Sequence, residues 1–238
     1  MIPAWQKGIV KKIEQVTYNT RHYVIELPET EVFDFRPGQF VTLDLPIHEQ
    51  RNKRWRSYSI ASAPNGSNTI ELIIVYVEGG AGTQYFFDEV KEGSELTLRG
   101  PHGIFVLPEV LDKDLLMICT GTGIAPFRSM VHHVHNQNIA HRNMYLIFGT
   151  RTQQDLLYAA ELRRLEMQVE GFRFLPTLSR EGWDGHTGYV HGIYEDICAG
   201  RPDAHFMLCG WRSMVDEAKQ RILDMGYDKK AIHLELYG

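Results

Sequence analysis

The sequence predicts two domains, an antiparallel β-barrel over residues 1–108 followed by an α/β domain with a doubly wound parallel sheet over residues 109–238. Two observations lead to this fold class. Before about residue 110, short β-rich segments alternate with turn-forming residues, and after it strand and helix patterns alternate. A chain of 238 residues can bury a core in each of two small domains. Residues 107–114 are the expected linker.

The first half predicts a small barrel of six strands and one helix. Pro37-Gly38, Pro64-Asn65-Gly66 and Glu92-Gly93 supply the turns that closely spaced antiparallel strands require. In residues 69–77, apolar side chains occupy both sets of alternating positions, which predicts a strand buried on more than one side. The predicted strands are residues 8–17, 21–27, 39–45, 55–61, 69–77 and 95–99, and the predicted helix is residues 82–90.

The second half repeats a strand–helix pattern. Residues 115–120 predict an apolar strand, and Gly121-Thr122-Gly123 leads from it into a helix that ends near residue 136. Parallel strands joined by helical crossovers form a doubly wound sheet. The remaining predicted strands are residues 144–148, 172–178, 205–209 and 232–237, and the remaining helices are residues 159–169, 190–197 and 214–225.

Composition excludes several classes of protein. The net charge of −5 argues against a generally basic nucleic-acid binder. The longest apolar runs, residues 72–77 and 115–119, are far shorter than the roughly 20 residues of a membrane span, so no membrane partner is expected. The N-terminal residues show no secretory signal. Three cysteines fit a reducing compartment without a disulfide framework, which predicts a cytoplasmic protein.

The turn Gly121-Thr122-Gly123 is a candidate phosphate site. Glycines between a strand and a helix let backbone N–H groups approach a pyrophosphate at the positive end of the helix. Pro126 stands where the dinucleotide fingerprint has its third glycine, but proline is tolerated in a first helical turn. The alternative is an ordinary strand–helix turn.

Residues 56–62, Arg-Ser-Tyr-Ser-Ile-Ala-Ser, form a second candidate site. A cation, an aromatic ring and a hydroxyl at alternating positions predict that all three face one way on a strand. Such a face would bind a phosphate, stack on a flat ring and hydrogen bond to its edge. A half-exposed strand without a ligand is the alternative.

Nine motifs in register make the chain resemble the ferredoxin–NADP reductase superfamily over nearly its whole length. They are Pro37-Gly38-Gln39-Phe40, Arg56-Ser57-Tyr58-Ser59, Gly79-Gly80-Ala81-Gly82-Thr83, Gly100-Pro101-His102-Gly103, Gly121-Thr122-Gly123-Ile124-Ala125-Pro126, Phe148-Gly149-Thr150-Arg151, Ser179-Arg180-Glu181, Cys209-Gly210 and Glu235-Leu236-Tyr237.

The resemblance implies that the barrel binds FAD. Arg56 would pair with the FAD pyrophosphate, because a planar guanidinium suits phosphate oxygens. Tyr58 would stack on the isoalloxazine, and Ser59 would hydrogen bond near the flavin N5 atom that accepts the hydride. Ser57 belongs to the same cofactor-binding motif. The residues expected to open the short helix towards the FAD phosphates are Gly80, Ala81, Gly82 and Thr83.

The resemblance also implies a nicotinamide nucleotide site in the second domain. The Gly121-Thr122-Gly123 turn would bind this nucleotide. Cys209 and Glu235 would lie near the nicotinamide, and Tyr237 would cover the other flavin face. Each has a simpler alternative, since Cys209 could be a core residue, Glu235 a solvated carboxylate and Tyr237 a packed strand residue.

Coenzyme choice depends on Ser179 and Arg180. These residues resemble the 2′-phosphate clamp of NADP-linked members of the superfamily, and Arg151 would assist, so NADPH is expected. Residues 183–190 are similar to a stretch common in NADH-linked reductases of oxygenase systems, so NADH is the alternative.

The implied function is hydride transfer between NADPH or NADH and FAD, and single-electron transfer to a separate ferredoxin or flavodoxin. The residues expected to act at the reacting atoms are Ser59, Cys209, Glu235 and Tyr237. One alternative is a reductase component of an oxygenase or another multisubunit enzyme. A second alternative is a non-catalytic subunit that relays electrons through FAD.

Two further clusters complete the sequence analysis. Residues 51–56 contain four cations, which form either a solvated surface or a docking patch for an acidic electron carrier. His132 and His135 share a helix face, but no metal-binding signature accompanies them, so no metal is expected.

Overall fold

The computed structural model describes residues 3–237, which divide into two compact units. The first unit contains the chain up to Leu107 together with Arg128–His133. The second contains Pro108–Phe127 and the chain from Val134 onwards. Residues 128–133 therefore differ from the sequence-based division, which placed them in the second domain. The predicted boundary at residues 108 and 109 stays a proposal.

The first unit contains one antiparallel sheet of six strands, and it confirms the predicted barrel-like fold class. All six predicted strands and the helix are present. The elements are β1 (Gln6–Thr17), β2 (Thr20–Glu26), β3 (Phe40–Asp44), β4 (Trp55–Ser59), β5 (Thr69–Val75), α1 (Ala81–Asp88) and β6 (Glu95–His102). The strand order in the sheet is β4-β3-β6-β1-β2-β5, and β6 extends to residue 102, three residues beyond its predicted end.

The core of this unit follows from strand alternation. Ile70, Leu72 and Ile74 on β5 are at most 1% exposed, and the intervening Ile73 is also buried, as the pattern predicted. Side chains from the inner faces of β1, β2, β3 and β6 complete the core. The ring of Phe86 from α1 packs edge-on against Tyr23 of β2, with ring centroids 5.1 Å apart.

The edge strands β4 and β5 are joined just beyond the end of β4. The N–H of Ala61 donates to the carbonyl of Glu71 (2.8 Å), and the N–H of Glu71 donates to the hydroxyl of Ser62 (3.1 Å). We refer to residues 60–62 and Glu71 as the seam. Pairing at the seam covers two sheet edges that would otherwise expose unpaired backbone groups.

Residues 128 and 129 belong to the first unit because they bind the seam. Nη1 of Arg128 donates to the carbonyl of Ala61 (2.9 Å) and to Oε2 of Glu71 (2.6 Å). The hydroxyl of Ser129 donates to the carbonyl of Ser62 (2.6 Å). These contacts give hydrogen-bond donors to the carbonyls of Ala61 and Ser62, which lie beyond the end of β4 and so outside its pairing with β3.

The second unit contains a parallel sheet of six strands, and it confirms the predicted doubly wound α/β class. The elements of this part of the chain are β7 (Asp114–Thr120), α2 (Ile124–Asn136, of which residues 128–133 belong to the first unit), β8 (Met144–Thr150), α3 (Ala159–Gln168), β9 (Phe172–Leu178), β10 (His186–Thr187), α4 (Val190–Ile197), β11 (Ala204–Trp211), α5 (Arg212–Asp224) and β12 (Ile232–Tyr237). The strand order is β10-β9-β8-β7-β11-β12, and the two-residue strand β10 is additional to the predicted strands.

From β7 the chain adds β8, β9 and β10 on one side and then β11 and β12 on the other. The place between β7 and β11 is therefore the topological switch point of the sheet. Ligands of open α/β sheets bind outside the carboxyl ends of the strands at such a point. Residues 114–119 of β7 are buried, as expected for a central parallel strand.

The predicted linker is partly structured, because Leu111 forms a bridge with His141 and Asp114 begins β7. Within residues 3–237, no helix combines the length and the apolar character needed to cross a bilayer.

The seam carboxylate links the stability of the first unit to pH. Burial alone would raise the pKa of Glu71, but the hydrogen bond from His22 and the charge of Arg128 lower it to about 2. Because the pKa is depressed in the folded state, this contribution is fully present above about pH 4.5 and is lost as the pH falls towards 2. The contribution is on the order of 3 kcal/mol.

We therefore expect Glu71→Gln to flatten the acid dependence of stability. The variant is less stable than the wild type at pH 7, because Arg128 loses its carboxylate partner, and the difference shrinks between pH 4.5 and 2.5. Urea unfolding at a series of pH values measures this. Glu95→Gln is the control, because it removes an exposed ion pair with Lys7 and should leave the acid dependence unchanged. An unaltered acid dependence in Glu71→Gln would contradict the assignment.

Candidate functional site

The N-terminus of α1 presents backbone N–H groups without a side-chain cap. Gly80 occupies the N-cap position in an extended conformation, and no side chain caps it by a hydrogen bond. The hydroxyl of Thr83 accepts from the N–H of Val77 (3.1 Å) and donates to the carbonyl of Gly80 (3.0 Å), which fixes the preceding loop. The first N–H groups of a helix have no intrahelical acceptor, so this terminus favours an anion.

Arg56 lies beside the same helix terminus. A Cβ atom on Gly82 would lie 3.1 Å from Cγ of Arg56, which is closer than ordinary van der Waals contact, so glycine gives room for the arginine stem to cross the first turn of α1. Nη1 of Arg56 donates to the carbonyls of Lys53 (3.0 Å) and Trp55 (2.8 Å), and these bonds orient its guanidinium. A cation beside uncapped N–H groups fits a pyrophosphate.

The structure corrects the expectation of one shared face for the cation, the ring and the hydroxyl. Arg56 and Tyr58 share a face of β4, whereas Ser57 and Ser59 have the opposite parity and Ser62 lies beyond the strand, at the seam. The ring of Tyr58 packs edge-on against Phe86, with centroids 5.6 Å apart, and burial raises the pKa of its phenol.

The two serines of the motif have different surroundings. The hydroxyl of Ser57, an exposed residue, lies 3.1 Å from that of the buried Thr42 in a part-buried hydrogen bond. Ser59, the last residue of β4, is only 5% exposed and pairs with Phe40 of β3. Its position is therefore fixed by β3 on one side and by the seam that follows it in the chain.

The basic segment at residues 51–56 is partly neutralised by a carboxylate of the same unit. Nε of Arg54 lies 2.7 Å from Oδ1 of Asp44, and Nε of Arg51 lies 3.6 Å from Oδ2. Lys53 is exposed. Two of the four cations thus face Asp44, which reduces the charge that a docking patch would present.

In the second unit, the glycine turn lies at the topological switch point. Gly121 has a positive φ of 55°, and Gly121–Gly123 forms a 3₁₀ turn that leads into α2. A Cβ atom on Gly123 would lie 2.5 Å from the carbonyl oxygen of Cys209, and one on Gly210 would lie 2.5 Å from Oγ1 of Thr120. These glycines allow the ends of β7 and β11 to meet backbone to backbone.

The structure brings Cys209, Glu235 and Tyr237 together at neighbouring strand ends. Cys209 is opposite Glu235 in the β11–β12 register, and Tyr237 is opposite Trp211. The side chains of Tyr237 and Cys209 interact through a hydrogen bond. Burial, followed by the charge of Glu235, raises the pKa of the Cys209 thiol, so this residue is a neutral thiol.

The proposed 2′-phosphate residues lie at the adjacent ends of β8 and β9. The N–H groups of Ser179 and Arg180 donate to the carbonyls of Thr150 and Arg151, both at 3.0 Å, which extends the pairing of the two strands. The side chains of Arg151 and Arg180 are exposed. The hydroxyl of Ser179 also donates to the carbonyl of Thr150, at 3.2 Å.

Glu181 is a feature of this site that the sequence did not assign. Its carboxylate accepts from the N–H of Gln153 at 2.7 Å, beside the proposed clamp. The motif Ser179-Arg180-Glu181 contained the residue, but no local pattern indicated its partner 28 positions away.

Among residues 3–237, no three His, Cys, Asp or Glu side chains are arranged to hold a metal ion.

Comparison with known proteins defines the class of protein. Residues 7–107 match the family described as the oxidoreductase FAD-binding domain, and residues 117–220 match the oxidoreductase NAD-binding domain. The chain is thus an oxidoreductase with a domain for FAD and a domain for a pyridine nucleotide. It is 34% identical to ferredoxin–NADP reductase B of Sorangium cellulosum, over 91% of each chain. The chain belongs to the ferredoxin–NADP reductase superfamily.

Two other similar proteins differ in how much of their length is matched. A crystal structure of a ferredoxin–NADP⁺ reductase from Neisseria gonorrhoeae, with bound FAD and NADP, has a TM-score of 0.82 and 26% identity over 98% of each chain. The glycine betaine monooxygenase reductase subunit of Pseudomonas aeruginosa is 29% identical over 95% of this chain, which spans 63% of that relative.

Replacing Gly123 by alanine tests the close approach at the switch point. We expect Gly123→Ala to destabilise the protein by about 1–3 kcal/mol, because the added methyl group meets the backbone of Cys209. Thermal unfolding followed by circular dichroism measures this. Gly192→Ala is the control, because that helical glycine has no atom within 4 Å of an added Cβ and should gain about 0.5–1 kcal/mol. Equal effects at the two glycines would refute the packing argument.

Proposed function

We propose that the protein transfers a hydride from NADPH to FAD and passes single electrons to a separate ferredoxin or flavodoxin. The observation that carries this proposal is the position of Arg56, which crosses Gly82 at the uncapped N-terminus of α1. A guanidinium and helix N–H groups on one side of the barrel are suited to the two charges of a pyrophosphate.

Residues of the first unit would hold the flavin. Arg56 would pair with the pyrophosphate, and the helix opening at Gly80, Ala81, Gly82 and Thr83 would donate N–H groups to it. Tyr58 would stack on the ring system, Ser59 would donate its hydroxyl near the hydride-accepting nitrogen, and Ser57 would flank them. When bound, FAD supplies the acceptor of a hydride and the donor of single electrons.

Residues of the second unit would hold the pyridine nucleotide. The turn at Gly121, Thr122 and Gly123 would bind the diphosphate at the switch point, as in other open α/β sheets. The neutral thiol of Cys209 and the carboxylate of Glu235 would border the nicotinamide, and Tyr237 is proposed as an aromatic partner of the flavin. None of these roles requires a nucleophile.

NADPH is the proposed coenzyme because Arg151, Ser179 and Arg180 stand together at the ends of two adjacent strands. Exposed guanidinium groups favour a 2′-phosphate. Glu181 has the opposite effect, because a carboxylate at the ribose favours NADH. NADH therefore stays the alternative coenzyme.

The proposed acceptor is a ferredoxin or flavodoxin, and the similarity to a ferredoxin–NADP reductase over 91% of both chains supports it. The second candidate function is that of an oxygenase reductase component, which is supported by the similarity to the monooxygenase reductase subunit.

We propose a cytoplasmic location, supported by three cysteines that are all free and buried.

Stopped-flow spectroscopy tests the proposed function directly. The purified protein should carry FAD, and mixing with NADPH should bleach the flavin faster than mixing with NADH. The reduced protein should then reduce a ferredoxin or flavodoxin in a coupled assay. A protein that binds no flavin, or whose flavin neither coenzyme reduces, would refute the proposal. Preferential electron delivery to an oxygenase would favour the second candidate function.

Arg56→Ala is expected to weaken FAD binding by about 10–100-fold, since it removes a charge-assisted contact with the pyrophosphate. Fluorescence titration of the flavin-free protein with FAD measures this. Lys53→Ala removes a neighbouring exposed cation and should leave FAD affinity unchanged. Equal losses in the two variants would show that general charge, and not the position of Arg56, determines binding.

Arg180→Ala is expected to weaken NADPH binding by about 10–100-fold and to spare NADH, because only NADPH carries the 2′-phosphate. Glu181→Gln should shift the preference further towards NADPH. Titration with 2′,5′-ADP and with 5′-AMP separates the two effects without any turnover. Arg173→Ala is the matched control, because Arg173 is an exposed arginine on β9, the strand that precedes Arg180. Parallel losses for both nucleotides would rule out the clamp.

A further inference from the structure

Backbone groups on both sides of Ser59 are held by hydrogen bonds. Before it, β4 pairs with β3. After it, the N–H of Ile60 donates to the carbonyl of Gln39 (2.9 Å) and that of Ala61 to Glu71 (2.8 Å). The remaining carbonyls of Ala61 and Ser62 accept from side chains of α2. The residue proposed to face the hydride acceptor therefore stands at the start of a segment whose backbone is held by several hydrogen bonds.

Both donors from α2 are buried, and Arg128 belongs to a charge cluster. Arg128 is 9% exposed and Ser129 is completely buried. Oε2 of Glu71 lies 2.6 Å from Nη1 of Arg128 and 3.3 Å from Nε2 of His22, and Nδ1 of His22 lies 3.7 Å from Oε2 of Glu14. Such a cluster admits few alternative arrangements, because moving Arg128 or Glu71 would leave the other charge unpaired in a largely buried position.

We infer that Arg128 and Ser129 are positioning residues for the flavin reaction, which act by fixing the carbonyls of Ala61 and Ser62 and through them the hydroxyl of Ser59. This inference rests on the proposed function. The proposed contact of Ser59 is a hydrogen bond, whose strength falls steeply with misalignment. The two residues lie more than 65 positions from the carbonyls they bind, so their role is not expressed in any local motif.

Ser129→Ala tests the inference with little change in volume. The variant should fold and retain FAD, and its half-saturating NADPH concentration should match the wild type. Its limiting rate of flavin reduction should fall about threefold to tenfold, the range expected for one hydrogen bond. The absorption bands of the bound flavin should shift as well. Arg128→Lys keeps a charge for Glu71 without the guanidinium fork and should act in the same direction.

The decisive measurement is a double-mutant cycle with Ser59→Ala. If Ser129 acts through Ser59, then Ser129→Ala should change neither the rate nor the flavin spectrum in the Ser59→Ala background. Additive effects would overturn the inference, as would a Ser129→Ala protein identical to the wild type. Thr20→Val removes another buried hydroxyl of the same unit, which donates to Asn19, and should change neither quantity.

These outcomes are distinct from failure of the proposed function. A wild-type protein that retains no FAD, or whose flavin is not reduced by NADPH or NADH, refutes the proposed function. A flavin that is reduced normally, with additive effects in the cycle, refutes only the positioning role. A similar decrease in Thr20→Val would also overturn the inference, because it would indicate general loosening of the unit.

Discussion

The carboxylate of Glu71 is the group on which closure of the first unit depends. It lies where two edge strands meet, and burying a charge there requires partners that are also buried. Arg128 and His22 approach the same oxygen, and Arg128 also binds the carbonyl of Ala61. A short stretch of α2 consequently joins the barrel, although the residues on either side of it belong to the second unit.

Local patterns were sufficient to predict most of the fold. Alternation and turn residues placed all six barrel strands, and apolar runs followed by helices placed five of the six strands of the second sheet. β10 was missed because two residues carry no periodicity. The contacts of Arg128 and Ser129 with the seam were missed because they join residues 57 and 67 positions apart. The opposite parity of Ser59 was readable from the sequence, since side chains alternate along any strand.

Glycines at the two candidate sites illustrate why a motif can be found while its physical reason is not. In the sequence, Gly82 and Gly123 predict room for a phosphate. In the structure, the first makes room for the stem of Arg56 and the second for the backbone of Cys209. The two reasons are compatible, because close packing behind the turn holds the helix N-terminus in place and leaves its first N–H groups available to the proposed ligand. A glycine required by packing can thus also serve the proposed binding role.

The state of Cys209 indicates what kind of catalysis the protein contributes. Burial and the like negative charge of Glu235 raise the pKa of its thiol and keep it protonated, and a protonated thiol is a poor nucleophile and resists oxidation. Hydride transfer needs no acid or base at the donor carbon, but it does need the two reactants held in a narrow range of distance and angle. The neutral thiol of Cys209, the buried hydroxyl of Ser129 and the hydrogen bonds beyond the end of β4 would each serve to hold groups in place. Under the proposed function, the protein would therefore contribute rigidity and polarity, and these are the properties that the seam and the glycine contacts provide.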